Sequence, residues 1–232
     1  MIGPPHFAMM RLASPAMPIG GFSYSQGLES AIDRGWVHDE ASLITWLRDA
    51  LAMNVGRYEA PLLHACVQAL LAGDMAQAEA LNADCLASRE SAELHAETVQ
   101  MGYSLLRVLA GLTPGERNRA AIAAAATRLA ADRPCSLPMA YAHAAPVFGL
   151  SADEALAAWL WSWLENQVAA AIKTVPLGQQ AGQRVLDALL DDLTDTRQRA
   201  ATLPRDAWCN FAPGFAMASS WHETQYSRLF RS

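Results

Sequence analysis

The amino-acid sequence predicts an all-α fold: a single-domain bundle of helices packed around one buried central helix. Apolar residues recur at the three- and four-residue spacing of helices along most of the chain. The sequence contains no run in which β-branched and polar residues alternate over five or more positions, so strands are hard to place. A chain of 232 residues is long enough to bury a large core, and we expect one domain over residues 1–232.

The central helix is predicted within the most apolar stretch of the chain, which begins near residue 155. Ahead of Arg184, the only charged side chains in this stretch are Glu165 and Lys173. Its large apolar side chains point in too many directions to form a single stripe, and a helix that is apolar on all sides is normally buried. Charged side chains are costly inside lipid, so Glu165 and Lys173 favour a helix in a soluble bundle over a membrane span.

Both ends of the central helix are marked by the sequence. Ser151 and Glu154 have the spacing of a capping box, in which each side chain satisfies an unpaired amide of the first turn. Pro176 lacks an amide hydrogen and clashes with the preceding turn, so the helix should break there and resume near Gln179.

Caps and turn residues place the other helices and the ends of the domain. Their approximate ranges are 24–34, 39–51, 62–71, 74–88, 91–110, 113–133, 134–149 and 215–224. The helix over 134–149 is expected to be interrupted near Pro146. We expect a flexible, irregular N-terminal segment over residues 1–11 and a C-terminal interaction tail over residues 225–232.

Charge and cysteine usage limit the classes of function. The net charge is -6 and the chain has no Lys/Arg cluster, which argues against nucleic acid as the main partner. The four cysteines show no paired spacing, and the N-terminus lacks a basic segment followed by an apolar signal core. These features predict a reduced, cytoplasmic protein with free thiols.

The sequence has no motif that is typical of a metal site or a catalytic nucleophile. The six histidines form no HxxxH pair and the cysteines form no CxxC. Glu93, His95 and Glu97 are the nearest approach to a cluster, but neighbours two residues apart on a helix face away from each other. We therefore expect a solvated face there, and we assign no catalytic, cofactor-binding or metal-binding residue.

Four long blocks of the chain closely resemble the urease accessory protein UreF family. They occur in the family's order and extend from Leu12 to Ser232, so the resemblance covers nearly the whole chain. The blocks are LASPAMPIGGFSYSQGLESA, SRESAELHAETVQMGYSLL, WLWSWLENQVAAAIKTVPLGQQAGQRVL and HETQYSRLFRS.

This resemblance implies a function in the assembly of a nickel enzyme. It implies an all-helical cytoplasmic protein that forms a homodimer and binds UreD (called UreH in some organisms) and the GTPase UreG. That assembly delivers nickel to apo-urease. The UreF-type subunit bridges the other two proteins and regulates the GTPase, so nickel and GTP are handled by the complex and no cofactor is expected on this chain.

The resemblance also implies which residues face the partners. Those candidates lie in the SYSQGLE, AIKTVPLGQ and SRLFRS blocks, and the last block is rich in the Arg and aromatic side chains that dominate interface energies. The partner-interface candidates are Tyr24, Glu29, Lys173, Arg228, Leu229, Phe230 and Arg231. We expect the tail to be an interface arm whose removal leaves the stability of the domain unchanged.

Two other classes of function remain open at this stage. One is an all-helical enzyme that uses Glu165 and Glu29 as acids and Lys173 as an electrostatic group. The other is a nickel-binding protein that works through its histidines. Equilibrium dialysis with nickel separates these classes from a scaffold, because both alternatives favour a tight stoichiometric site.

Overall fold

The computed structural model of this chain describes residues 4–116 and 118–232. Its α-helices are α1 (Pro4–Ala13), α2 (Leu28–Asp33), α3 (Glu40–Ala50), α4 (Ala60–Leu71), α5 (Met75–Ala87), α6 (Ala92–Ala110), α7 (Arg119–Ala130), α8 (Leu137–Phe148), α9 (Ala152–Thr174), α10 (Gln179–Ala188), α11 (Leu190–Thr202) and α12 (Pro213–His222). A π-helical segment, Leu51–Glu59, connects α3 to α4. The described residues contain no β-strand, and the predicted all-α class is confirmed.

The described residues divide into two compact units. Of these residues, the first unit draws on 4–20, Leu62–Ser88 and Thr98–Trp159, and the second on Gly21–Pro61, Arg89–Glu97 and Leu160–Ser232. The expectation of a single domain over 1–232 stays a prediction. No helix in the described part of the chain is long and apolar enough to cross a membrane.

In the first unit, α8 is almost completely buried, and its start is fixed by polar side chains. Ser136 is the N-cap of α8 and accepts a hydrogen bond from the Met139 amide. The Asn82 amide group donates to the Pro134 carbonyl and accepts from the Ser136 amide. These bonds satisfy backbone groups that would otherwise be buried without partners at the helix terminus.

In the second unit, ion pairs connect α3 with the helices that follow α9. Arg184 on α10 donates to Glu40 at 2.6 Å, and Arg48 on α3 donates to Asp192 on α11 at 3.1 Å. The Asp39 carboxylate caps α3 by accepting the Ser42 amide hydrogen in a capping box, which agrees with the predicted start of this helix at residue 39. The ion pairs fix α3 against α10 and α11.

Helix α9 begins and ends where the sequence predicted. The Glu154 carboxylate accepts the Ser151 amide hydrogen at 2.8 Å, and the Ser151 hydroxyl accepts the Glu154 amide hydrogen. The helix ends at Thr174, two residues before Pro176. Most of its apolar side chains are buried, as expected for the central helix, but Trp161 is 36% exposed.

The N-terminal prediction was wrong over the described residues. Residues 4–11 were expected to be irregular, yet they belong to α1. Prolines 4 and 5 are tolerated because the first turn of a helix has no intrahelical partner for its amide hydrogens. Burial of Leu12 anchors the end of this helix. Residues 1–3 of the expected flexible segment lie outside the described residues.

Three other helix boundaries differ from the expectations. Helix α2 begins at Leu28 because Gly27 has the left-handed φ of 81°. Helix α7 begins at Arg119, since the Asn118 side chain accepts the Gly115 amide hydrogen and forms a separate turn ahead of it. Pro146 does not interrupt α8, which continues to Phe148.

Candidate partner-binding site

The seven candidates predicted from the sequence lie together in the second unit. They come from the loop before α2, the first turn of α2, the end of α9 and the last residues of the chain. We call residues 225–232 the final segment, and we call this segment together with the residues that hold it the platform. The sequence-predicted members of the platform are Tyr24, Glu29, Lys173, Arg228, Leu229, Phe230 and Arg231.

Glu29 holds the backbone of the final segment. It lies in the first turn of α2 and is 8% exposed. One carboxylate oxygen accepts the Leu229 amide hydrogen at 2.6 Å, and the other accepts the Phe230 amide hydrogen at 2.9 Å. Hydrogen bonds to an ionised acceptor are stronger than neutral ones. Glu29 therefore supports the final segment from beneath, instead of facing outward.

His222 lies between two carboxylates and was not among the predicted residues. Its side chain is fully buried at the end of α12. Nδ1 lies 2.6 Å from Glu93 Oε2, and Nε2 lies 3.1 Å from Glu29 Oε2. Each ring nitrogen of this histidine therefore has a carboxylate oxygen within hydrogen-bond distance.

The solvated face expected for Glu93, His95 and Glu97 was a wrong prediction for the two carboxylates. Glu97 is buried, and the Glu93 side chain is 15% exposed. Both lie on one face of α6, because residues four apart are neighbours on a helix surface. The four-residue spacing of Glu93 and Glu97 is the signal in the sequence that places them on the same face, whereas His95 lies two residues from each.

Cations and an aromatic ring complete the platform. The Arg228 guanidinium donates to Glu93 at 2.5 Å, and the Lys173 ammonium lies 5.5 Å from the centre of the Phe230 ring, within the range of a cation–π interaction. The phenol of Tyr24 is buried and forms a hydrogen bond with Arg231. Burial raises the pKa of Tyr24, and the bond to Arg231 opposes that shift.

The final segment is also tied to the loop that precedes α2. The backbone oxygen of Ser232 accepts the Ser25 and Gln26 amide hydrogens at 2.7 and 3.1 Å. The Ser25 hydroxyl donates to the same oxygen at 2.5 Å, and the Arg231 amide donates to the Ser23 carbonyl at 2.8 Å. Backbone contacts therefore fix this segment from Leu229 to Ser232.

The expectation that the tail contributes nothing to stability is incorrect. Phe230 is 6% exposed and Ser232 is fully buried, so part of the final segment belongs to the packed interior. Burial of a large apolar side chain stabilises a fold by about 1.5–3 kcal/mol. Deletion of the final segment would remove the contribution of Phe230.

The outward face of the platform combines apolar and cationic side chains. The Leu229 side chain is 62% exposed and Tyr226 is fully exposed. Lys173, Arg228 and Arg231 are exposed around them. Exposed apolar groups beside Arg side chains are the composition of a protein interface.

Similarity to known proteins over most of the chain decides the family. The UreF family model matches residues 37–190 of the chain. This chain belongs to the UreF family. A UreF protein of Azoarcus sp. (strain BH72), named urease accessory protein UreF, is 49% identical over 233 residues, covering 98% of this chain and 96% of the relative.

Two further relatives with the same name agree with the family assignment. The protein of Dechloromonas aromatica (strain RCB) is 47% identical over 224 residues, covering 97% of this chain and 96% of its own. The protein of Azotobacter vinelandii (strain DJ / ATCC BAA-1303) is 49% identical over 227 residues, covering 97% and 98%. The resemblance to the UreF family predicted from four sequence blocks is confirmed.

The structure also bears on the residues named for the alternative functions. Both oxygens of Glu29 are engaged by the chain's own donors, so this carboxylate is not presented to a substrate. Glu165 is half-buried on α9, and partial burial raises its pKa. Among residues 4–116 and 118–232, no group of three or more His, Cys, Asp or Glu side chains is arranged to hold a metal ion.

Proposed function

We propose that this UreF-family chain is a cytoplasmic urease maturation factor that acts as a scaffold and performs no catalysis. It bridges a UreD/UreH-type protein and a UreG-type GTPase, and it regulates GTP-dependent delivery of nickel to apo-urease. It acts as a homodimer, and nickel and GTP are bound by the other members of the complex. The names of the curated relatives support the urease accessory role.

The observation that carries this proposal is the construction of the platform. Three carboxylates and one histidine are used to hold the final segment: Glu29 accepts its backbone amides, Glu93 and Glu97 accept from its side chains, and His222 lies between Glu29 and Glu93. These four groups are buried or half-buried beneath the exposed side chains. A catalytic site exposes its titratable groups to a substrate, whereas a binding surface needs a rigid base beneath exposed anchors. The platform has the second arrangement.

The anchors are the exposed side chains of the platform. Leu229 is fixed through its amide, while its side chain projects from the surface. Lys173, on α9, is exposed and lies over the Phe230 ring. A desolvated Arg or apolar anchor at an interface is worth about 2 kcal/mol or more, which is about thirtyfold in affinity.

The test is capture of the UreD/UreH-type partner by variants of this chain. We expect Leu229→Ala, Lys173→Ala and Arg228→Ala to reduce co-purification of that partner, and with it recruitment of the GTPase and activation of urease in cells. Leu190→Ala is the matched control, because it makes the same change at a 44% exposed leucine on α11. The control should bind like the wild type.

Two outcomes count against the proposal. The first is a wild-type chain that does not co-purify with the UreD/UreH-type protein. The second is a folded Leu229→Ala variant that binds as tightly as the Leu190→Ala control.

A further inference from the structure

Glu97 closes the platform at the end of the final segment. It follows Glu93 by one helical turn on α6 and is buried. Its Oε2 accepts the Ser232 hydroxyl hydrogen at 2.6 Å, and its Oε1 accepts an amide hydrogen of Gln26 at 2.7 Å. Both donors are neutral. Among residues 4–116 and 118–232, the carboxyl group that holds the end of the final segment has no cation in direct contact with either oxygen.

The partner of Glu97 in the loop is itself fixed on its other side. The Gln26 amide oxygen accepts the Trp163 indole hydrogen at 2.8 Å and an amide hydrogen of Gln167 at 3.3 Å. Gln26 therefore cannot turn to offer Glu97 a different atom without losing two bonds. Only the Ser232 side of the Glu97 site opens when the final segment moves.

Several titratable groups face Glu97 from the elements around it. Glu59 and Arg89 form a buried ion pair at 2.7 Å, and their effects on Glu97 oppose each other. Tyr24 is a buried phenol whose own pKa is raised. Glu93, on the same helix, is occupied by His222 and Arg228.

Burial dominates the titration of this carboxyl group. It raises the pKa of Glu97 from 4.5 to about 7, against the opposing effect of the hydrogen bonds from Ser232 and Gln26. A buried ionised carboxylate is costly unless it is paired. Burial therefore favours the protonated form, in which the Ser232 hydroxyl can rotate and accept the carboxyl hydrogen at the same contact.

We propose that Glu97 is a positioning residue for the platform, and that protonation of its carboxyl group makes the final segment dock more firmly. The inference rests on the proposed function for its consequence, since the segment carries the exposed anchors Arg228 and Leu229. The docking itself is a property of this chain alone.

The direction and the size of the pH effect on docking follow from the difference in the pKa of Glu97 between the docked and undocked forms. Undocking exposes Glu97 to water, where its pKa returns toward 4.5, while the docked form titrates near 7. Docking is therefore strongest below pH 4.5 and weakens as the pH rises through 7. With these two values, the docking constant falls by about tenfold between pH 6 and pH 8.

The first experiment measures docking in the full chain by hydrogen exchange. The reporters are the amides of Leu229, Phe230 and Arg231, each of which donates to a group outside the final segment. We expect their protection factors, corrected for intrinsic exchange, to fall about tenfold in the wild type from pH 6 to pH 8. In Glu97→Gln, whose side chain stays neutral, they should change less than about twofold.

Glu165→Gln is the matched control, because it neutralises a half-buried glutamate and should keep the wild-type profile. Equal pH dependence in the wild type and in Glu97→Gln overturns the inference. If Glu97→Gln does not fold, the wild type decides alone: protection that does not change between pH 6 and pH 8 overturns the inference.

The second experiment separates this inference from the proposed function. Binding of the UreD/UreH-type partner is measured at pH 6 and pH 8 with the same three proteins. If amide protection depends on pH but the partner does not bind, the result supports the inference and refutes the proposed function. Binding with pH-independent protection supports the function and refutes the role of Glu97.

Discussion

Gly27 allows α2 and α12 to approach closely, and replacing it should disturb the platform at its base. Gly27 has a φ of 81°, and a Cβ atom built on it would lie 2.9 Å from the Ser219 amide nitrogen and 3.2 Å from the Ala218 carbonyl carbon. Both contacts are to backbone of α12, so they cannot be relieved by a side-chain rotation. Helix α2 carries Glu29 and helix α12 carries His222. Moving the two helices apart would therefore break hydrogen bonds that hold the final segment.

The magnitude follows from two separate effects. An alanine in the left-handed region costs roughly 1–2 kcal/mol. Overpacking against backbone that must shift costs roughly a further 1–3 kcal/mol. We therefore expect Gly27→Ala to lower the free energy of unfolding by roughly 2–5 kcal/mol.

Gly20 provides a matched control for the first effect. It has nearly the same φ, 83°, but a Cβ atom there would meet nothing within 4 Å. Gly20→Ala should therefore show only the conformational cost. The gain from a less flexible unfolded chain is common to both variants and cancels in the comparison.

The assay is equilibrium urea unfolding followed by tryptophan fluorescence and circular dichroism, with the two midpoints compared at a common slope. Gly27→Ala should unfold at a clearly lower urea concentration than Gly20→Ala. It should also lose protection at the Leu229 and Phe230 amides. If the two variants are equally stable, the argument from close helix packing is wrong.

Two further predictions concern buried titratable groups. Glu29→Gln should lower the free energy of unfolding by roughly 1–3 kcal/mol, because a carboxamide nitrogen would replace an acceptor of the Phe230 amide hydrogen. The control is Glu165→Gln, whose free energy of unfolding should change by less than about 0.5 kcal/mol. Equal stability of the two variants in urea unfolding would contradict the prediction. His143 is 1% exposed, and burial, assisted by Arg128, lowers its pKa from 6.5 to about 4. Its folded pKa lies below the unfolded value, so the wild type should lose roughly 3 kcal/mol of stability as the pH falls from 6.5 to 4. His143→Leu should lose correspondingly less over that range, and parallel stability profiles for the two proteins would refute the assignment.

The sequence by itself determined the helical class and those boundaries that depend on neighbouring residues. Ser151 and Glu154 cap α9 as predicted, and Asp74 caps α5 by accepting the Gln77 amide hydrogen. Pro176 separates α9 from α10. Each of these signals acts over three or four residues, so it is complete within the local sequence.

The sequence predicted seven residues of the candidate site, but it did not predict which of them are buried. The family blocks identified the final segment and Lys173 as interface candidates. They did not show that Glu29 is buried, since a glutamate in a short helix is by composition a surface residue. Nor did they show that Glu93 and Glu97 face inward, because the partners that satisfy them come from distant parts of the chain.

Only the tertiary structure decided how the final segment is held. His222 meets Glu93 across 129 positions of sequence and Glu29 across 193. The Phe230 amide reaches Glu29 across 201 positions. A buried charge is tolerable only beside a partner, and periodicity within one helix carries no information about a partner on another. The burial of these groups is therefore fixed by the packing of α2, α6 and α12 together.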